Sequence, residues 1–206
     1  MVSEGLPAYF GDHGHVGATQ PNYGLDEVFG ARQIYVEFTP DISDGLTLEI
    51  KGSQIAGRYI RQDYELRGGE AVGHYSNGHV AAVEHRFGQG RTLLMGSFPG
   101  AGYYRRPSPV AREFFAGLLT MAGVTPRLKV NDHSVQARLH YGLGGGYLWI
   151  TNPTRSGRTV NVSFAPGVVP FTSAEDLWGQ QSVVLSRDQI NVGVPARDAV
   201  VVALRP

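Results

Sequence analysis

From Gln33 to Phe38 the order Ile34-Tyr35-Val36-Glu37-Phe38 alternates as a strand does, and Leu46 to Ile50 repeats the alternation after an Asp44-Gly45 turn signal. The stretch Gln54 to Asp63 and the segment Ala71 to Tyr75 add further strands, with Gly68-Gly69 and Asn77-Gly78 supplying the positive backbone angles that turns require. Two apolar strands, 79–86 and 91–98, then flank the turn Phe87-Gly88-Gln89-Gly90-Arg91. Before all of these, residues 1 to about 30 are rich in Gly, Pro, His and Asn, and only Leu25 to Phe29 suggests a helical turn, closed by Gly30.

The clearest helical period runs from Pro109 to Ala122. Ser108 is placed to cap it, Pro109 takes its first position and Gly123 follows its end. Val110, Phe114, Leu118 and Met121 form one stripe, which Phe115 and Leu119 widen, so the helix has to pack on an apolar surface. Beyond Val124-Thr125-Pro126 the period of 3.6 disappears. About seven short strands follow, at 127–130, 135–141, 147–152, 159–164, 182–185, 189–194 and 199–204, with turn residues between them. The expected fold class is therefore α+β: an α/β domain with few helices over residues 1–125, then a small antiparallel β-sandwich over residues 126–206.

Composition narrows the possibilities mainly by exclusion. At 206 residues the chain is shorter than the roughly 250 residues of a (β/α)8 barrel. Its 18 basic and 18 acidic residues cancel and are scattered, so a nucleic-acid partner is not expected. The absence of cysteine excludes disulfides, thiolate metal sites and a cysteine nucleophile. The opening Met-Val-Ser-Glu-Gly-Leu-Pro lacks the basic and apolar regions of a secretory signal, and no stretch approaches the roughly 18 apolar residues of a membrane span. A cytoplasmic chain with no membrane partner is the expectation.

The run Gly78–Gly100 (GHVAAVEHRFGQGRTLLMGSFPG), followed at once by the helical pattern and an all-β tail, resembles the part of family 42 β-galactosidases that lies after their catalytic barrel. In the tail, the hairpin Gly146-Tyr-Leu-Trp-Ile-Thr-Asn-Pro-Thr-Arg-Ser-Gly-Arg-Thr-Val160, the turn Asp176-Leu177-Trp178-Gly179 and the closing Val194-Pro-Ala-Arg-Asp-Ala-Val-Val-Val202 are similar to family pieces in the same order. The resemblance implies a partial glutamine-amidotransferase-like domain of the trimerisation type, up to residue 125, and the family's C-terminal β-domain after it. It further implies that the chain opens inside the later part of the first domain, with a sheet edge left unpaired and inviting self-association as a trimer or dimer. A glycoside hydrolase barrel would be its other partner, and no cofactor is expected.

Candidate chemistry is sparse. A retaining glycosidase needs two carboxylates about 5–5.5 Å apart, supplied in this family from barrel strands; with no barrel pattern, no catalytic residue is assigned. Glu37, Glu49 and Glu84 read as solvent-facing or structural. An amidotransferase triad is excluded with the missing cysteine, and Gly96-Ser97-Phe98-Pro99-Gly100 lacks the Gly-x-Ser-x-Gly spacing of a nucleophile elbow, so Ser97 reads as a strand end. The Gly88-Gln89-Gly90 and Gly142–Gly146 runs read as hairpin turns, since neither carries the Gly-Lys-Ser/Thr ending of a phosphate loop.

Three groups remain. His13 and His15, on an extended segment, would point the same way and offer two corners of a metal site, with His74, His79 or His85 as a third ligand; hydrogen-bonded loop histidines are the alternative. Tyr103, Tyr104, Arg105 and Arg106, read as a loop at a strand end, are candidates for a subunit interface or the rim of a neighbouring active site. Trp149 and Trp178 are candidates for stacking on sugar rings, with core or interface packing as the alternative. The function expected is that of a non-catalytic assembly region of a β-galactosidase-like glycoside hydrolase in carbohydrate metabolism. A carbohydrate-binding module and an autonomous hydrolase with a cryptic site are the alternatives.

Overall fold

A run such as Leu93-Leu94-Met95 has no polar face to give to water, and the chain buries it on both sides. The computed structural model describes residues 1–39, 45–168, 170–179 and 181–206, which excludes part of the expected Asp44-Gly45 turn. The fold is α+β and the chain divides into two units, Met1–Val124 and Thr125–Pro206.

In the first unit the elements are β1 (Val2–Glu4), α1 (Leu25–Phe29), β2 (Ala31–Phe38), β3 (Thr47–Ile50), β4 (Ser53–Ala56), β5 (Ile60–Leu66), β6 (Glu70–His74), β7 (Val80–Phe87), β8 (Gly90–Met95), α2 (Pro99–Arg105) and α3 (Pro109–Met121). Six strands form one sheet in the order β1-β8-β7-β6-β3-β4, and β2 with β5 forms a separate ribbon. Leu93 and Met95 of β8 face one side, where Leu48, Ile50 and Ala82 meet Phe114, Leu118 and Met121 of α3. Leu94 faces the other side and packs with Phe29, Ala31, Tyr64 and Val83, so α1 and the ribbon cover that surface. Along α3 the cap is the expected one, with the Ala111 amide donating to Ser108 Oγ at 3.1 Å. The buried stripe differs at its start, because Ala111 is buried there while Val110 is 44% exposed.

Two elements of this unit depart from the sequence expectation. The opening residues are not all irregular: Val2–Glu4 pairs in parallel with Leu93–Met95, so β8 is not the sheet edge and a three-residue strand takes that place. Residues 99–105 form a helix, so Tyr103 to Arg105 are not in a loop. Pro-Gly-Ala-Gly is a poor helical sequence, but a Cβ on Gly102 would stand 2.1 Å from the Ala56 carbonyl oxygen, so glycine allows α2 to lie directly on β4. Glu4 holds the start of α2 through the Gly100 amide, which donates to Oε1 at 2.6 Å.

In the second unit β9 (Leu128–Val130), β10 (Gln136–Gly142), β11 (Gly145–Asn152), β12 (Arg158–Phe164), β13 (Ser173–Asp176), β14 (Val183–Ser186), β15 (Gln189–Val194) and β16 (Asp198–Arg205) make two four-stranded antiparallel sheets. Their orders are β10-β11-β16-β13 and β14-β15-β12-β9, and Leu148, Ile150, Val160, Val162, Ile190, Val192, Val202 and Leu204 fill the layer between them. The sandwich has one strand more than the sequence predicts. β13 is four residues long and its Ser-Ala-Glu-Asp sequence lacks the apolar alternation that marks the others.

Asn152 fastens one end of this sandwich. Its Nδ2 donates to the carbonyls of Ser156 (2.9 Å), Val194 (3.2 Å) and Pro195 (2.9 Å), while Oδ1 accepts from the Thr154 amide (3.0 Å) and hydroxyl (2.7 Å). No helix among the described residues is long and apolar enough to cross a membrane.

Asn152→Asp keeps the shape but sets a carboxylate oxygen against three carbonyl oxygens; urea denaturation is expected to show a loss of about 3 kcal/mol. A second expectation concerns pH. Burial raises the Glu4 carboxyl above its ordinary 4.5, only partly offset by the Gly100 amide, so the folded state holds the proton more tightly than the unfolded chain. The contribution of Glu4 to stability is present at low pH and lost as pH rises through the folded value. Glu4→Gln, which retains an acceptor for Gly100, is therefore expected to unfold at higher denaturant than the parent at neutral pH, with the gap closing below the ordinary value.

Candidate functional site

Strand alternation puts Tyr147 and Trp149 on the same face of β11, opposite Leu148 and Ile150 in the core. Antiparallel pairing places His140 of β10 beside Tyr147, and Val201 of β16 beside Trp149. The turn after β13 brings Leu177 and Trp178 over the same strands, with the Leu177 amide donating to the Val201 carbonyl at 2.9 Å. These six side chains line an open groove of about 590 Å³ on the outer face of the sheet. Trp149 and Trp178, distant in sequence, are thus brought together, and they remain 45% and 52% exposed.

 

A buried carboxylate fixes the turn that carries Trp178. Asp176 is 7% exposed; its Oδ1 accepts from the Trp178 amide and its Oδ2 from the Gln181 amide, both at 3.0 Å. Two amides that a turn would otherwise leave to water are thereby satisfied by one side chain, and Trp178 is held over the sheet. The floor is equally fixed. Val201 is 3% exposed, pairs with Trp149 of β11 on one edge and accepts from the Leu177 amide on the other.

The other candidate residues lie apart from this groove. His13 has a left-handed backbone (φ 63°) inside a 3-10 turn at Asp12–Gly14, which corrects the extended His-x-His reading; the Gly11 amide donates to the His15 carbonyl at 2.7 Å and closes the loop. Both rings are exposed, and no group of three or more His, Asp or Glu side chains able to hold a metal occurs among the described residues. The proposed third ligands have other surroundings: His79 Nδ1 contacts the buried Asp63 carboxylate, which also receives Arg61, and His85 Nδ1 lies 3.1 Å from the Val28 carbonyl. On α2, Tyr103 packs against Phe115 with ring centroids 5.7 Å apart, while Tyr104 is 89% exposed and Arg105 and Arg106 lie at the surface.

Two carboxylates do meet beside a hollow of about 300 Å³, where Glu70 and Glu84 stand opposite each other on β6 and β7. Glu84 is ion-paired with Lys51, which offsets the repulsion that like charges across a ladder produce. Ser97 is fully buried after β8 and donates to the Arg58 carbonyl at 3.2 Å, a structural use of its hydroxyl.

Comparison with solved structures gives the fold a precedent. A GH42 β-galactosidase from G. stearothermophilus matches 100% of this chain with a TM-score of 0.71 at 15% identity, over 28% of its own length. The β-galactosidase from Bacillus circulans sp. alkalophilus matches 100% with a TM-score of 0.71 at 16% identity, over 29% of its length. That of the Antarctic haloarchaeon Halorubrum lacusprofundi matches 92% with a TM-score of 0.59 at 22% identity, over 25% of its length. The fold is that of one part of a GH42 β-galactosidase. No protein-family model matches the chain, and no curated protein matches it in sequence. The chain spans between 25% and 29% of the length of these three structures.

The sequence points to the two tryptophans of the second unit but not to the residues that line the groove with them. Tyr147 was available from alternation, two positions before Trp149. Asp176 was visible only as an acid at a turn, and its role depends on amides that folding brings to it. Asp176→Ala is expected to release the Trp178 and Gln181 amides, lowering stability by about 1–3 kcal/mol and shifting tryptophan emission to the red as the groove loosens, both read in one denaturation series.

Proposed function

We propose that this chain is a non-catalytic assembly region of a β-galactosidase-like glycoside hydrolase, acting in the cytoplasm in carbohydrate metabolism. The observation that carries this reading is the match of the whole chain to less than a third of each GH42 structure. On this reading the first unit is a partial amidotransferase-like domain of the trimerisation type and the second is the C-terminal β-domain. Their partners are further copies of the chain and a catalytic barrel.

Exposed apolar side chains on the first unit support self-association. On the ribbon Ile34, Tyr35 and Phe38 are 62%, 47% and 66% exposed, and Ile34 sits at the irregularity in register between Gln33 and Tyr35. Tyr59, 43% exposed, meets Phe98 edge-on with ring centroids 6.3 Å apart, and Phe98 leads into α2 with its exposed Tyr104. We assign Tyr103, Tyr104, Arg105 and Arg106 to the interface or to a rim beside it.

Light scattering after size exclusion is expected to give a mass three times that of the chain, and Phe38→Ser with Tyr104→Ser to give the monomer. The purified chain is expected to leave a chromogenic galactoside uncleaved. A parent protein that is monomeric at all concentrations overturns the assembly role, and turnover above buffer overturns the non-catalytic one.

A further inference from the structure

We infer that the groove between Trp149 and Trp178 is a binding site for a neutral saccharide. The inference rests on the second unit alone and stands whether or not the chain self-associates. A pyranose ring offers an apolar face of C–H groups and a perimeter of hydroxyls, and a site for it needs aromatic surface with polar atoms at the edge. The lining residues are of the types such a site uses: Trp149, Trp178, Tyr147 and Leu177 give a largely apolar surface, and the indoles, Tyr147 and His140 carry groups able to hydrogen-bond.

Charge and size select among occupants. Among the described residues no Asp, Glu, Lys or Arg lines the groove, so none of them compensates a phosphate, a carboxylate or a charged peptide there. A stable protein interface takes roughly 20–30 residues a side, far more than the six side chains that form this patch. Its volume of about 590 Å³ instead lies within the range of small-molecule sites, roughly 300–1,000 Å³. The site is also held in shape before any ligand arrives, because Asp176 fixes the turn bearing Trp178 and the β11–β16 ladder fixes Trp149. Pre-organisation of this kind lowers the ordering cost of binding.

The chain has two tryptophans and both line the groove, so its tryptophan emission reports on this site. The experiment titrates the 206-residue chain with methyl β-galactopyranoside, β-1,4-galactotetraose and cellotetraose while following that emission. A saturable change with at least one sugar is expected. Calorimetry on Trp149→Ala and Trp178→Ala is expected to show binding weakened by about tenfold or more in each, with far-UV circular dichroism unchanged. Trp178 lies on a turn outside the sandwich core, so its replacement keeps the test available even if Trp149→Ala misfolds. No saturable change with any of the three sugars up to about 10 mM overturns the proposal. So does an emission change that follows protein concentration without sugar and disappears in Trp178→Ala, which would give the groove to a second copy of the chain.

Discussion

Burial of β16 on both faces is the constraint on which the second unit depends. Val200, Val202 and Leu204 turn inward to the sandwich core, and Val201 and Ala203 turn outward yet are only 3% and 2% exposed. A strand with no face left for water must be covered twice, and the outer cover here is made by the aromatic side chains of β11 and by the turn after β13. The groove is what remains of that cover where it does not close. Its floor is therefore part of the fold, and its walls are the residues free to serve a ligand.

The first unit solves the same problem for β8 with different material. One face is taken by α3 and the other by α1 and the ribbon. Polar groups drawn into this packing are given partners: Tyr75, whose hydroxyl burial pushes well above the ordinary tyrosine range, donates to the Gly96 carbonyl at 2.7 Å, and Asp63 is held by Arg61 and His79. Arg61 in turn lies over the Tyr75 ring at 4.9 Å, so the two polar clusters share a cation.

What could be read in the sequence was local. The cap, first-turn proline and terminal glycine of α3 lie next to the residues they act on, and the hairpins at Gly88-Gln89 and Leu143-Gly144 are set by their own turns. What could not be read depends on partners distant in the chain. β1 is a strand because Leu93–Met95 lies beside it, α2 is a helix because Gly102 fits against Ala56, and β13 is a strand because β16 needs an outer neighbour. The same division runs through the site: the shared face of Tyr147 and Trp149 follows from alternation, whereas Trp178 reaches it only through Asp176. His13 and His15 do not share the extended side-chain period that the sequence reading assumed, because the His13 backbone lies in the left-handed region.

The pairing of β1 with β8 has a consequence for how the protein is made. Val2–Glu4 is synthesised before its partner Leu93–Met95, which is not yet translated when it emerges. At about 5–20 residues per second the opening strand waits roughly 5–20 s before the edge it completes exists. Closing that long loop is a late event that cannot proceed from the N-terminus forward. Until then β1 has no partner for its backbone groups, and it is open to pairing with any strand that arrives before Leu93–Met95.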